Sequence, residues 1–190
     1  MTRRCILALA LLIGLPALAA ALPAARAVQV RDVRGALVRP LEAPGRAATV
    51  LIFIARDCPI SNSYAPEIKR LRADYALSPV ALYVVYVDGG PAGPVQAHAR
   101  AHGYDSVALL DPAHRLVRLT GATVTPEAAV LSPDGRLLYR GRIDDRFAGF
   151  GRVHDLASVH DLRRALDVIR AGQPVPVART QAVGCFIPGT

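Results

Sequence analysis

The run TVLIFIA at residues 49–55 constrains the fold of this chain more than any other feature. It has no polar face, so a strand made from it has to be covered on both sides. A second run of the same kind, VALYVVYV at 80–87, follows. Between them Tyr64, Ile68, Leu71 and Tyr75 recur at helical spacing, which predicts a helix over about 61–76 with one buried face. Two doubly buried strands joined by a helix make a parallel pair, because parallel neighbours need a crossover.

The alternation continues. Residues 95–103 read as a short helix stopped by Gly103, 107–111 as a third strand, and 112–121 as a helix with proline at its start and glycine at its end. The texture then changes. Residues 127–132 and 136–143 are strand-like and flank Pro133-Asp134-Gly135, the mark of a tight hairpin. A polar loop at 144–155 precedes a last helix over about 159–171, with Leu162, Leu166 and Ile169 on one face and Gly172 as its stop. Ahead of the first buried run, residues 28–48 read as a small hairpin or edge strand and a loop. The order β-α-β-α-β-α-β-β-α predicts an α/β domain, a central mixed sheet flanked by helices and carrying an N-terminal hairpin extension.

Residues 1–27 do not fit that pattern. Arg3 and Arg4, an apolar run to about Leu15, and small residues ending Ala25-Arg26-Ala27 have the layout of a secretory signal peptide. Pro16 cuts the apolar run short of a membrane span. Removal of this segment places the folded domain at 28–172, a proline-punctuated, low-order tail at 173–190, and the protein in the bacterial periplasm or outside the cell. The net charge of +8 falls to +5 as the three leader arginines leave. The remaining charges are interspersed rather than blocked, which excludes a nucleic-acid-binding surface of the usual basic kind.

Export leaves two of the three cysteines, Cys58 and Cys185, in an oxidising compartment. Cys58 stands at the carboxyl end of the first buried strand and the amino end of a helix, where open α/β sheets collect their chemistry. Free N–H groups at a helix start lower a thiol's pKa, and the thiolate is the nucleophile. The bland alternative is an inert buried thiol. Cys185 has three readings, as a thiol that resolves an oxidised Cys58, as half of a static disulfide, or as a thiol directed to a partner. Ser61 and Asn62 can cap the helix or donate to a thiolate. Asp57 opposes ionisation of Cys58 and Arg56 favours it. Arg140 and Arg142 share a strand face, from which one can reach the site or stay solvated. His98 and His102 are four apart on a helix, but no third ligand accompanies them, and His114, His154 and His160 are scattered, so neither metal nor cofactor is expected.

An apolar strand, Cys58-Pro59, and Ala65-Pro66 just beyond resemble the active-site segment of the thioredoxin-like superfamily. Val124-Thr125-Pro126 before the hairpin is similar to that fold's cis-proline loop, which lies against the reactive cysteine and presents its backbone to substrate. CPISNSYAPEIKRL, VTPEAAVLSPDGRLLYRGRIDDRF and VGCFIP together resemble the exported redoxins of the alkyl-hydroperoxide-reductase and thiol-specific-antioxidant family. The resemblance spans about residues 30–188. It implies a thioredoxin-like fold and an exported antioxidant thiol oxidoreductase acting through Cys58, with Cys185, Pro126, Thr125 and Ser61 as its other site residues. Its substrate would be a peroxide or a protein disulfide, and its electrons would come from an external thiol. Two positions depart from the pattern. Ser61 stands where a dithiol enzyme has the second cysteine of C-x-x-C, which permits a monothiol route. Leu51 and Ala55 stand where a peroxiredoxin carries its proline and hydroxyl residue. The alternatives are a non-catalytic binding module of the same fold and a metallochaperone, although the copper carriers of this fold use a second cysteine that is missing here.

Overall fold

The computed structural model describes residues 27–149 and 151–190. The expected leader falls almost wholly outside these residues. No helix among the described residues is long and apolar enough to cross a membrane.

The first apolar run forms β3 (Ala48–Ile54), buried at every position. It pairs in parallel with β4 (Val80–Tyr86), in register from Ala48 opposite Val80 to Ile54 opposite Tyr86. β4 pairs in parallel with β5 (Ala108–Leu110). On the other side β3 meets β7 (Glu127–Leu131) antiparallel, and β7 meets β8 (Leu137–Gly141) through the expected turn. The N-terminal hairpin, β1 (Val30–Asp32) and β2 (Leu37–Val38), joins the far edge by pairing β1 with β5. The sheet therefore runs β2-β1-β5-β4-β3-β7-β8, parallel at its centre and antiparallel at both margins. This is the mixed sheet that the sequence predicts.

Alternation along β3 divides the interior in two. Val50, Ile52 and Ile54 face a cluster with Ile68, Leu71, Val95, Ala99, Leu162 and Leu166. Leu51 and Phe53 face the other way, toward Val85, Leu109, Leu116, Val117 and Ile187. Each such side chain, taken fully out of water, contributes about 1.5–3 kcal/mol.

The helix expected over 61–76 is two pieces, α1 (Pro59–Ser63) and α2 (Ala65–Asp74). Pro66 has no N–H to bond back into the preceding turn. The chain tightens instead at Tyr64, whose N–H bonds Ser61 O at 3.1 Å. α3 (Ala92–Ala101) starts three residues earlier than the pattern indicates, because Pro94 in a first turn loses no hydrogen bond. α4 (Arg115–Thr120) is capped from a distance. The buried Asp111 carboxylate accepts the N–H groups of Arg115, Leu116 and Val117 at 2.7–3.0 Å. α5 (Asp161–Arg170) is the last helix, with Leu162 and Leu166 buried.

Four short strands were not expected. β9 (Phe147–Gly149) and β10 (Arg152–Val153) form a small hairpin inside the polar loop. β6 (Val124–Thr125) pairs antiparallel with β11 (Cys185–Phe186) in the tail. The tail is thus docked rather than loose, and two sets of contacts hold it. Residues 178–180 run along the outer edge of β8, with Arg140 N–H bonding Ala178 O at 2.9 Å and Thr180 N–H bonding Arg140 O at 3.1 Å. The Thr180 hydroxyl lies 2.7 Å from the Tyr139 hydroxyl and accepts from Arg142 N–H at 3.1 Å. Gly141 stands beneath it at φ +153°, where a Cβ would collide with Thr180. Farther on, Ile187 is buried and its N–H bonds Thr123 O at 2.9 Å.

Candidate active site

Cys58 leaves the end of β3 as the N-cap of α1, with extended backbone and its Sγ accepting the Ser61 N–H at 3.5 Å. The cysteine thus takes the capping role expected of Ser61 or Asn62. Its Sγ also reaches the Thr125 carbonyl at 3.1 Å. Thr125-Pro126 is a cis peptide, so the loop expected from the resemblance lies against the sulfur. β11 then sets Cys185 directly opposite Thr125, with the Thr125 hydroxyl donating to Cys185 O at 3.4 Å. Cys58, Cys185, Thr125, Pro126 and Ser61 therefore meet at one place. Both cysteines are free thiols, Cys58 buried and Cys185 half-buried.

The two thiols are held in different protonation states. Burial pushes the Cys58 thiol up, but the polar groups set around its sulfur, the Cys185 thiol first, then the nearby Ser61 hydroxyl and N–H and the Thr125 hydroxyl, outweigh it and hold the pKa at about 7. Burial also pushes Cys185 up, and its proton is shared toward Cys58, so its pKa rises to about 11. Cys58 is therefore the first of the pair to ionise, and above about pH 7 the proton that remains is on Cys185. The Ser61 hydroxyl is buried and makes no hydrogen bond within normal geometry.

Both thiols open onto one cavity of about 470 Å³, whose lining includes Asp57, Asp88, His114, Phe186 and Pro188. Phe186 is largely exposed at its edge. A second cavity of about 530 Å³, near Arg142, Phe147 and Gln181, lies along the tail and contains no thiol.

The other charged candidates are engaged elsewhere. Arg56 pairs with Asp88 at 2.5 Å rather than with the thiol. Arg140 pairs with the buried Glu127 at 3.2 Å and Arg142 with Asp161 at 2.6 Å. Asn62 donates to Arg56 O at 2.8 Å and meets His98 Nε2 at 3.0 Å, while His98 Nδ1 meets the Tyr86 hydroxyl at 2.8 Å. His98 and His102 stack with ring centres 4.0 Å apart, and they serve this buttress behind the Cys58 turn. No group of three His, Cys, Asp or Glu side chains that could hold a metal occurs among the described residues. The sequence did not point to His98, Asn62 and Tyr86 as a linked set. Their only advance signal was one histidine spaced four residues from another.

No protein-family model matches the chain, and no curated protein matches it either. Solved structures do. A hypothetical protein from Sinorhizobium meliloti 1021 is 26% identical over 86% of this chain and 91% of its own, with a TM-score of 0.72. An uncharacterized conserved protein from Geobacillus kaustophilus is 25% identical over 87% of this chain and 92% of its own, with a TM-score of 0.73. A secreted Mycobacterium tuberculosis disulfide oxidoreductase homologous to Escherichia coli DsbE is 15% identical over 78% of this chain and 98% of its own, with a TM-score of 0.54. A candidate thioredoxin from Neisseria meningitidis, 18% identical over 75% of this chain and 86% of its own, shares the architecture at a TM-score of 0.57. The chain has a thioredoxin-like fold.

Proposed function

We propose that this protein is an exported thiol-dependent oxidoreductase in which Cys58 attacks the oxidant and Cys185 resolves the product. The observation that carries the reading is the placement of Cys185 against Thr125, opposite the thiol that Ser61 and Thr125 already hold. The exported setting rests on the leader-like residues 1–27, with 28–172 as the working domain and 173–190 as the segment that delivers Cys185.

With a hydroperoxide, the Cys58 thiolate forms an S–O bond as the O–O bond breaks. The leaving oxygen takes a proton and departs as water or an alcohol. The Cys185 sulfur then attacks the sulfenic acid, so that an S–S bond forms, the S–O bond breaks and water leaves. An external thiol reduces the disulfide in two exchange steps. With a disulfide as oxidant, Cys58 instead forms a mixed disulfide that Cys185 displaces. The secreted disulfide oxidoreductase among the structural neighbours is the reason this second kind of oxidant is kept beside the first. Ser61 cannot close a bond with Cys58, and a monothiol route needs an outside thiol where Cys185 already stands.

The test uses reduced protein and a small excess of hydrogen peroxide, with intact mass followed against time and peptides mapped without reduction. The reading predicts loss of two hydrogens and a Cys58–Cys185 link, formed faster than free cysteine oxidises. Oxidation at the rate of an unactivated thiol would exclude the peroxidase form, and a disulfide substrate would then be tried. A non-catalytic module would show equal behaviour for the native protein and Cys58→Ala in every redox assay.

A further inference from the structure

The edge of β6 beside Cys58 is a docking line for an extended polypeptide. A strand lying antiparallel along Val124 and Thr125 would satisfy their backbone groups and carry its own side chains past Cys58. In this molecule that line is already taken. Phe186 pairs with Val124 and Cys185 with Thr125. Ile187 continues the ladder to Thr123 O and buries its side chain in the cluster behind the sheet. Gly184 lies so close to Thr125 that a Cβ there would run into the Thr125 carbonyl. Under this cover Cys58 is only 1% exposed. What stays open is the cavity beside it, large enough for a small molecule.

We infer that residues 184–187 occupy the polypeptide position of the active site and confine Cys58 to small oxidants of the hydroperoxide class, admitted through the cavity, until the tail detaches. The inference rests on Cys58 being the attacking thiol. It assigns the tail two roles, delivering the resolving sulfur and setting the size limit on the oxidant. The step it selects is the balanced one above, in which the hydroperoxide is the oxidant and Cys58 is oxidised. A protein disulfide would have to displace the docked segment before its sulfur could approach.

The test compares two electrophiles of identical chemistry, N-ethylmaleimide and the same maleimide on an unstructured peptide of about twelve residues. Modification of Cys58 is followed by peptide mapping on the full chain. Each rate is divided by the rate on the same chain in denaturant. In the native protein the peptide reagent should be about 100-fold slower than the small one, the fraction of time the tail is away. Gly184→Val, which forces the tail off Thr125, should bring the two rates within about threefold. Ile187→Ser removes the apolar anchor and should act in the same direction, which guards against a misfolded first variant. Equal normalised rates in the native protein would overturn the inference. So would a gap that persists in both variants, or a native Cys58 silent to both reagents. Hydrogen peroxide added separately judges the parent reading. Absence of the Cys58–Cys185 link would refute the resolving role, while the maleimide gap still decides whether the tail excludes polypeptides.

Discussion

Cys58 follows β3, seven buried residues paired on both sides, whereas Cys185 sits on β11, two residues paired on one side. The first thiol sits on a short turn between the central strand and α1 and is buried against the body of the domain. The second is positioned by a segment anchored at Thr180 and Ile187, which can open without disturbing the sheet. The difference teaches that one reactive pair can be half rigid and half detachable. In the proposed cycle the thiolate stays beside its donors, and the sulfur that travels during disulfide exchange is carried by the part that can open.

The sharpest break of this comparison is Cys58→Ser, which should abolish peroxide-driven disulfide formation, as read by unreduced peptide mapping. Next is Cys185→Ala. The intramolecular bond disappears, and in excess peroxide Cys58 should proceed to sulfinic acid, seen by mass. The same variant removes a donor that lowers the Cys58 pKa. Alkylation of native Cys58 should therefore rise with pH to a midpoint near 7, and the midpoint should move upward in Cys185→Ala.

Matched deletions compare the two regions in stability. Ile52→Ala, in β3, should cost about 2–5 kcal/mol of global stability, measured by denaturant unfolding. Ile187→Ala removes the same atoms from an equally buried place, yet part of its cost should be absorbed by local opening. The expected signs are a smaller loss of global stability and faster proteolysis of the tail. The smallest effect is Ser61→Ala, which removes one donor to the thiolate and should raise the Cys58 midpoint by less than about one pH unit. An equal loss of global stability in the two isoleucine variants would break the comparison, because the tail would then belong to the same cooperative unit as the sheet.

Most of the sheet was legible because side chains with a period define it. The runs at 49–55 and 80–87 and the turn at Pro133-Asp134-Gly135 mark the buried strands and the hairpin, and the parallel centre with a late antiparallel edge follows from them, whereas the pairing of β1 with β5 at the far edge does not. The site was half legible. Cys58 and Pro126 lie at strand ends where the α/β pattern and the resemblance converge. That Cys185 could return to Cys58 was one of the readings the sequence offered, but the pairing that docks it was not legible, because two-residue strands such as β6 and β11 have no pattern to read and are held by backbone hydrogen bonds and one close glycine contact. The cap of α4 by Asp111 was hidden for a similar reason. The carboxylate acts across Pro112 and two further residues before the helix begins, too far for a capping box. The buttress of Tyr86, His98 and Asn62 joins three elements that are remote in sequence, so only the folded chain reveals it.

The hydrogen bond from Ile187 N–H to Thr123 O gives the molecule a built-in clock. In deuterated solvent, amides of β3 exchange only when the whole domain opens, but the Ile187 amide exchanges each time the tail lifts. The ratio of those two lifetimes measures how often the site stands open, without any substrate present. Because a Cys58–Cys185 bond would tie the tail to the sheet, the same proton should slow toward the β3 rate on oxidation, so that one isotope signal reports both the tail's motion and the redox state of the pair.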